Sequence, residues 1–104
     1  MNKNGAVPKA LTVIARIEAK PGCAGRVRKA LLALIPPTRA EKGCIDYELH
    51  NQRGSKRVFL FYENWLSKSC LDRHLRQKHL KDFDRQTRSL LACPVSITLW
   101  QRIA

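Results

Sequence analysis

Between Val58 and His79 the chain gathers most of the side chains able to move a proton or hold a ring: Glu63, Trp65, His74 and His79, within VFLFYENWLSKSCLDRHLRQKH. From Val58 to Trp65 the residues are β-branched, aromatic or long apolar, and a period of two places Phe59, Phe61, Glu63 and Trp65 on one strand face. A carboxylate in a row of Phe, Phe and Trp loses solvation. It must find a hydrogen-bond partner, rise in pKa, or border a cavity. Ser67 follows with the features of a helix N-cap, so the strand is expected to feed directly into a helix from Lys68. On that helix Leu71 and Leu75 are four apart and are expected to form one buried stripe. Cys70 and His74, also four apart, lie beside it. A break at the Gln77-Lys78 step, before a second periodic run through Leu80, Phe83, Thr87, Leu90 and Leu91, sets two imidazoles, those of His74 and His79, around one bend.

These side chains need a scaffold, and the order of elements supplies one. Residues 1 to 9 read as a flexible polar tail and residues 10 to 104 as a single domain. Leu11, Val13, Ala15, Ile17 and Ala19 alternate with Thr12, Ile14, Arg16 and Glu18, the pattern of a strand ended by Pro21-Gly22. A helix follows from Cys23, with Val27, Leu31, Leu34 and Ile35 on one face. Pro36-Pro37 is expected to break it, and Thr38 to Lys42 to form a short continuation closed by Gly43. Cys44 to His50 reads as a second strand with Ile45, Tyr47 and Leu49 on one face. NQRGSK is short enough to make a hairpin to the strand at 58 to 65. Cys93-Pro94 is expected to stop the helical region, and Val95, Ile97, Leu99 and Ile103 mark a last strand. The result is an α+β chain in the ferredoxin-like order βαββαβ, with an antiparallel sheet. Helices can cover only one side of such a sheet, which leaves Ile14, Leu60, Tyr62 and Trp100 on the other. A homodimer stacked through those faces is the expected way to bury them.

Composition narrows the function. No apolar run is long enough to cross a bilayer and the N-terminus lacks an apolar secretory core, so a cytoplasmic protein without membrane contact is expected. The four cysteines, Cys23, Cys44, Cys70 and Cys93, form no CxxC pair, which argues against a zinc knuckle, a redox motif or a disulfide framework. The net charge of +12 would suit a polyanion, but the bases are scattered and interleaved with Asp72, Asp82 and Asp84. A solvated basic surface is preferred over nucleic-acid binding.

Four segments in this order, LTVIARIEAKPG, TRAEKGCIDYELH, FYENW and LDRHLRQKHLKDF, closely resemble the antibiotic biosynthesis monooxygenase (ABM) domain family, including its quinol monooxygenase branch. The resemblance spans about residues 10 to 103. It implies a dimeric α+β barrel that oxidises a quinol or polycyclic phenol with O₂ and uses no metal, flavin or haem. Haem-degrading relatives carry an Asn on the first strand where this chain has Ala15, so the likeness does not extend to that activity. It also places a pocket between helices and sheet. His74 is then the expected base toward a phenolic proton, Trp65 the ring that stacks on the substrate, and Glu63 the group that orients an imidazole or a hydroxyl. Tyr47, His79 and Phe61 are the expected substrate-binding residues, with Tyr47 placed to donate to a developing oxyanion. Two other functions fit the same residues: an isomerase or other proton-transfer enzyme of the same superfamily, and a non-catalytic ligand- or nucleic-acid-binding dimer.

Overall fold

A computed structural model describes residues 10–104; the expected N-terminal tail lies outside the described residues. In chain order the elements are β1 (Leu11–Glu18), α1 (Ala24–Arg39), β2 (Cys44–Asn51), β3 (Val58–Trp65), α2 (Lys68–Leu75), α3 (Lys78–Thr87) and β4 (Ser96–Gln101). The sheet order is β2-β3-β1-β4 with every pairing antiparallel. This is the expected ferredoxin-like βαββαβ arrangement, with its second helical crossover split into α2 and α3. All four cysteines are free thiols.

Strand alternation builds the core. Val13, Ala15 and Ile17 of β1 and Phe59, Phe61, Glu63 and Trp65 of β3 are buried. They pack with Val27, Leu31 and Leu34 of α1, Leu71 of α2 and Phe83 of α3. The register sets Val13 beside Glu63 and Ala15 beside Phe61, while Tyr47 of β2 pairs with Glu63 from the other side. Glu63 is therefore flanked on both neighbouring strands by core residues, and its carboxylate is carried inward by the pleat.

Several local expectations are corrected. Pro36 and Pro37 do not interrupt α1, which continues to Arg39 and ends at Ala40, so there is no separate continuation from Thr38 to Lys42. The two rings remove donors that would have served the carbonyls of Leu32 and Ala33, both on the exposed side of the helix, where water can replace them. Leu34 and Thr38 meanwhile keep the buried stripe going. Gly43 is not the helix cap but a turn residue at φ +88°, and its carbonyl accepts the Leu66 amide at 2.8 Å. A bulge between Cys44 and Asp46 turns Ile45 outward to 51 % exposure and separates it from the Tyr47 face. Leu75 does not join Leu71 in a buried stripe; it ends α2 and stays 42 % exposed, because the chain turns away and nothing packs over its outer side. The second helical run closes at Thr87, before Leu90, Leu91 and the Cys93-Pro94 step, and Val95 and Ile103 lie outside β4.

Of the three helices α2 alone has a side-chain cap at its start. Ser67 caps α2, its hydroxyl accepting the Cys70 amide at 3.3 Å. The expected break falls between Leu75 and Lys78, and it brings the start of α3 back beside the end of α2.

Gly43 is the most constrained turn position. Its φ lies where side chains are strained, and an added Cβ would collide with the Cys70 sulfur and lie 2.8 Å from the Cys70 Cβ. Gly43→Ala is expected to destabilise the domain by about 1–3 kcal/mol, a fall in Tm on the order of 4–20 °C. A melting curve that matches the parent would count against this account of the turn.

Candidate active site

The buried face of β3 ends in an alternating Glu-x-Trp, and this spacing alone makes the first contact. Residues two apart on a strand share a face, and the Trp65 indole N–H donates to Glu63 Oε1 at 2.8 Å. Glu63 is only 3 % exposed. Burial pushes its carboxyl up to about 7; the Trp65 hydrogen bond draws it partly back and the nearby Glu41 charge adds to the rise.

His74 reaches the same region from α2. Its ring lies 4.6 Å from Trp65, centroid to centroid, and meets Tyr47 edge-on at 5.6 Å. Its Nδ1 is 2.7 Å from Oε2 of Glu41, and Nε2 of His79 is 2.8 Å from that same oxygen. An ionised carboxylate can only accept, so both imidazoles donate, and His74 is thereby held as the Nδ1–H tautomer when neutral. Its Nε2 then carries the lone pair and has no partner among the described residues. Burial lowers the His74 pKa below its ordinary value, while the Glu41 hydrogen bond and charge oppose that fall.

A cavity of about 50 Å³ lies between sheet and helices, lined by His74, Glu63, Tyr47 and Phe61 together with aliphatic side chains. His74 lines it and Glu41 does not; with Nδ1 on Glu41, Nε2 is the ring nitrogen left available to a ligand. Tyr47 stacks on Phe61 with centroids 4.2 Å apart. Burial, then the neighbouring Glu63 charge, raise the Tyr47 pKa well above its usual range, so the phenol stays a proton donor. The cavity has room for a few waters and not for a fused ring. Leu75 and Ile97 stand at its rim, 42 % and 44 % exposed, and are the side chains whose rotation would widen it.

Of the six site residues expected from sequence, His74, Glu63, Tyr47 and Phe61 meet at this cavity. Trp65 does not line it. The indole is wholly buried behind His74, in contact with the imidazole rather than placed to stack on a bound ring. His79 is also off the cavity wall and sits 6.0 Å from His74 on the far side of Glu41. Glu41 was missed. It lies in the turn between α1 and β2, 33 residues from His74 in sequence, with no periodic pattern to single it out. The nearest available signal was its place two residues before Gly43, in a segment that resembles the family.

A ferredoxin-like domain in which a histidine and a glutamate line one apolar cavity defines a small α+β protein with a candidate site between sheet and helices. Comparison with known proteins identifies the family. The antibiotic biosynthesis monooxygenase family profile matches residues 10–86, and the chain belongs to that family. It is 36 % identical over 89 residues to the Mycobacterium tuberculosis protein named "Putative monooxygenase Rv0793", covering 86 % of this chain and 87 % of that one. The solved structure of that protein superposes with a TM-score of 0.85, 32 % identity and coverage of 91 % and 96 % of the two chains. PA3566 from Pseudomonas aeruginosa superposes with a TM-score of 0.88 and 38 % identity, covering 96 % of this chain and all of that one.

Glu63 generates a stability prediction with a definite sign. Its folded pKa, about 7, lies above the ordinary carboxyl value of 4.5. The folded state therefore binds more protons between those values, and the contribution present below pH 4.5 is lost as pH rises through about 7. Glu63→Gln keeps an oxygen for the Trp65 N–H and removes the titration. Relative to the parent it should gain several degrees in Tm on going from pH 4.5 to pH 8. A Tm difference that does not change with pH would refute the buried ionisation.

Proposed function

We propose that this chain is a cofactor-independent monooxygenase acting with O₂ on a quinol or polycyclic phenol. The observation that carries the reading is the His74 ring: Nδ1 anchored on Glu41, Nε2 without a partner among the described residues, and an apolar cavity that the same side chain lines. In this reading Nε2 removes a phenolic proton. The electron-rich anion passes one electron to O₂, and recombination of the radical pair forms a carbon–oxygen bond. Loss of water, with the proton returned by His74, leaves one oxygen atom on carbon and the other in water. Glu41 stabilises the imidazolium formed in the first step, and Trp65 backs the ring. Tyr47 donates to oxyanion character as it develops. Glu63, half-ionised near neutrality, is placed to exchange a proton with a second hydroxyl of the ligand. The cavity lining is almost wholly carbon, which suits an aromatic ligand better than a phosphorylated one and sets the oxygenase reading ahead of the isomerase.

The measurement is O₂ uptake with a quinol panel. His74→Ala should lower kcat by about 10²–10⁴-fold with a smaller change in KM, and raised pH should partly restore it by ionising the substrate without the base. Trp65→Ala should also act on kcat, through a loosened His74, with thermal melting to separate lost stability. If the parent consumes no O₂ with any quinol, or if His74→Ala turns over as fast as the parent, the reading fails.

The same proposal includes a homodimer joined through the open sheet face. Tyr62 and Trp100 are 38 % and 56 % exposed there, beside partly exposed Ile14 and Leu60. A second copy would remove that apolar surface from water. Leu60→Asp should give monomer or aggregate, since a carboxylate buried without a partner costs several kcal/mol, comparable to the stability of a small domain. A parent protein that scatters light as a monomer at micromolar concentration would refute the dimer.

A further inference from the structure

The Glu41, His74 and His79 cluster holds more ligating capacity than the base needs. Three donor atoms from the α1–β2 turn, α2 and α3 converge, all within 4.8 Å of one another. The two nitrogen-to-oxygen separations, 2.7 and 2.8 Å, are hydrogen-bond distances and would open by roughly half an ångström to reach the tetrahedral edge of about 3.3–3.6 Å set by ligands about 2.0–2.2 Å from one metal ion. Glu41 supplies a second observation. Its side chain is only 10 % exposed, and its other oxygen, Oε1, is buried with no hydrogen-bond partner. A buried carboxylate oxygen without a donor is uncommon, because desolvation goes uncompensated, and a cation bound at the same carboxylate would compensate it. His79 is 21 % exposed and gives the cluster a route to solvent.

We propose that Glu41, His74 and His79 form a binding site for a late divalent first-row metal ion, with Zn²⁺, Co²⁺ and Ni²⁺ as the class. Two imidazole nitrogens and one carboxylate are a donor set suited to these ions and poorly suited to Mg²⁺ or Ca²⁺, which take oxygen ligands. Three protein ligands leave the remaining positions to water. Binding balances without net proton release. The metal takes the His74 Nδ1 and His79 Nε2 lone pairs, and in each ring the proton moves to the opposite nitrogen. On His74 that nitrogen is Nε2, so an occupied site presents an N–H to a ligand where the empty one presents a lone pair. The ion is therefore an inhibitor of the base and not its cofactor. This last consequence rests on His74 acting as the base; the binding itself does not.

Calorimetric titration of the full chain with CoCl₂ and with ZnCl₂, in a Cys93→Ser background that removes the one exposed thiol, tests the site. Visible Co²⁺ absorption provides a second readout. One equivalent should bind, and Glu41→Gln and His79→Gln should each weaken it by at least about tenfold, the smaller end of what losing even an outer partner of a metal site costs. His50→Gln, at the remaining histidine of the chain, should bind as the parent does, and melting curves check that each variant is folded. No stoichiometric binding, or binding that survives both Glu41→Gln and His79→Gln, overturns the proposal. ZnCl₂ should also suppress O₂ uptake and EDTA restore it. Stoichiometric binding with undiminished uptake would support the site and count against His74 as the base.

Discussion

One carboxylate oxygen, Oε2 of Glu41, accepts from two imidazoles that arrive on different helices. The tautomer of His74 follows from it, and so does the ring nitrogen left available to a ligand. The packing of α2 against α3 near their junction is tied to the same atom. The rest of the domain can be understood as what brings Glu41 to that place. An unbroken α1 ends at Ala40, the turn closes on Gly43, and the Gly43 carbonyl is fastened to the Leu66 amide. The turn that holds Glu41 is thus anchored to the segment joining β3 to α2.

The opposite wall is built on a different constraint. Trp65 satisfies Glu63, and the pair is wholly inside the protein. A buried carboxyl tolerates this by holding its proton more tightly, which is why its pKa sits near neutrality while that of the imidazole is lowered. The same desolvation moves the two groups in opposite directions, because it disfavours the charged form of each, an anion in one and a cation in the other.

Much of this was legible in the sequence, and the limits have physical causes. The β3 face was readable because alternation over eight residues has one solution, and Ser67 was readable because capping is local. The broken run at Gln77-Lys78 was visible for the same reason. Glu41 was not, because its partners are long-range and a turn residue carries no period. Trp65 was placed on the right face but given the wrong neighbour, since alternation fixes a side and not the depth at which a side chain stops. Pro36-Pro37 misled because the cost of a helix proline depends on whether the freed carbonyls meet water, which pattern alone does not say. The cationic excess is partly explained along α2 and α3. Lys68, Lys78, Arg85 and Arg88 pair with Asp72, Asp82 and Asp84 one helical turn away, so those bases support the helices on a solvated face.

The bulge between Cys44 and Asp46 has a bearing on how such a chain can change over time. Side chains on a strand alternate in and out, so the single unpaired residue there sets the phase of everything after it. Upstream lies the turn with Glu41 and downstream lies Tyr47, which reaches the cavity only because the phase is as it is. The length of chain between those two residues is therefore quantised. Loss or gain of one residue would carry Tyr47 to the open face of the sheet unless the bulge itself were erased or doubled in compensation, whereas the NQRGSK hairpin at the far end of β2 can lengthen without disturbing the site. Insertions among relatives that keep this cavity should accordingly collect at the hairpin tip and avoid the segment between Glu41 and Tyr47.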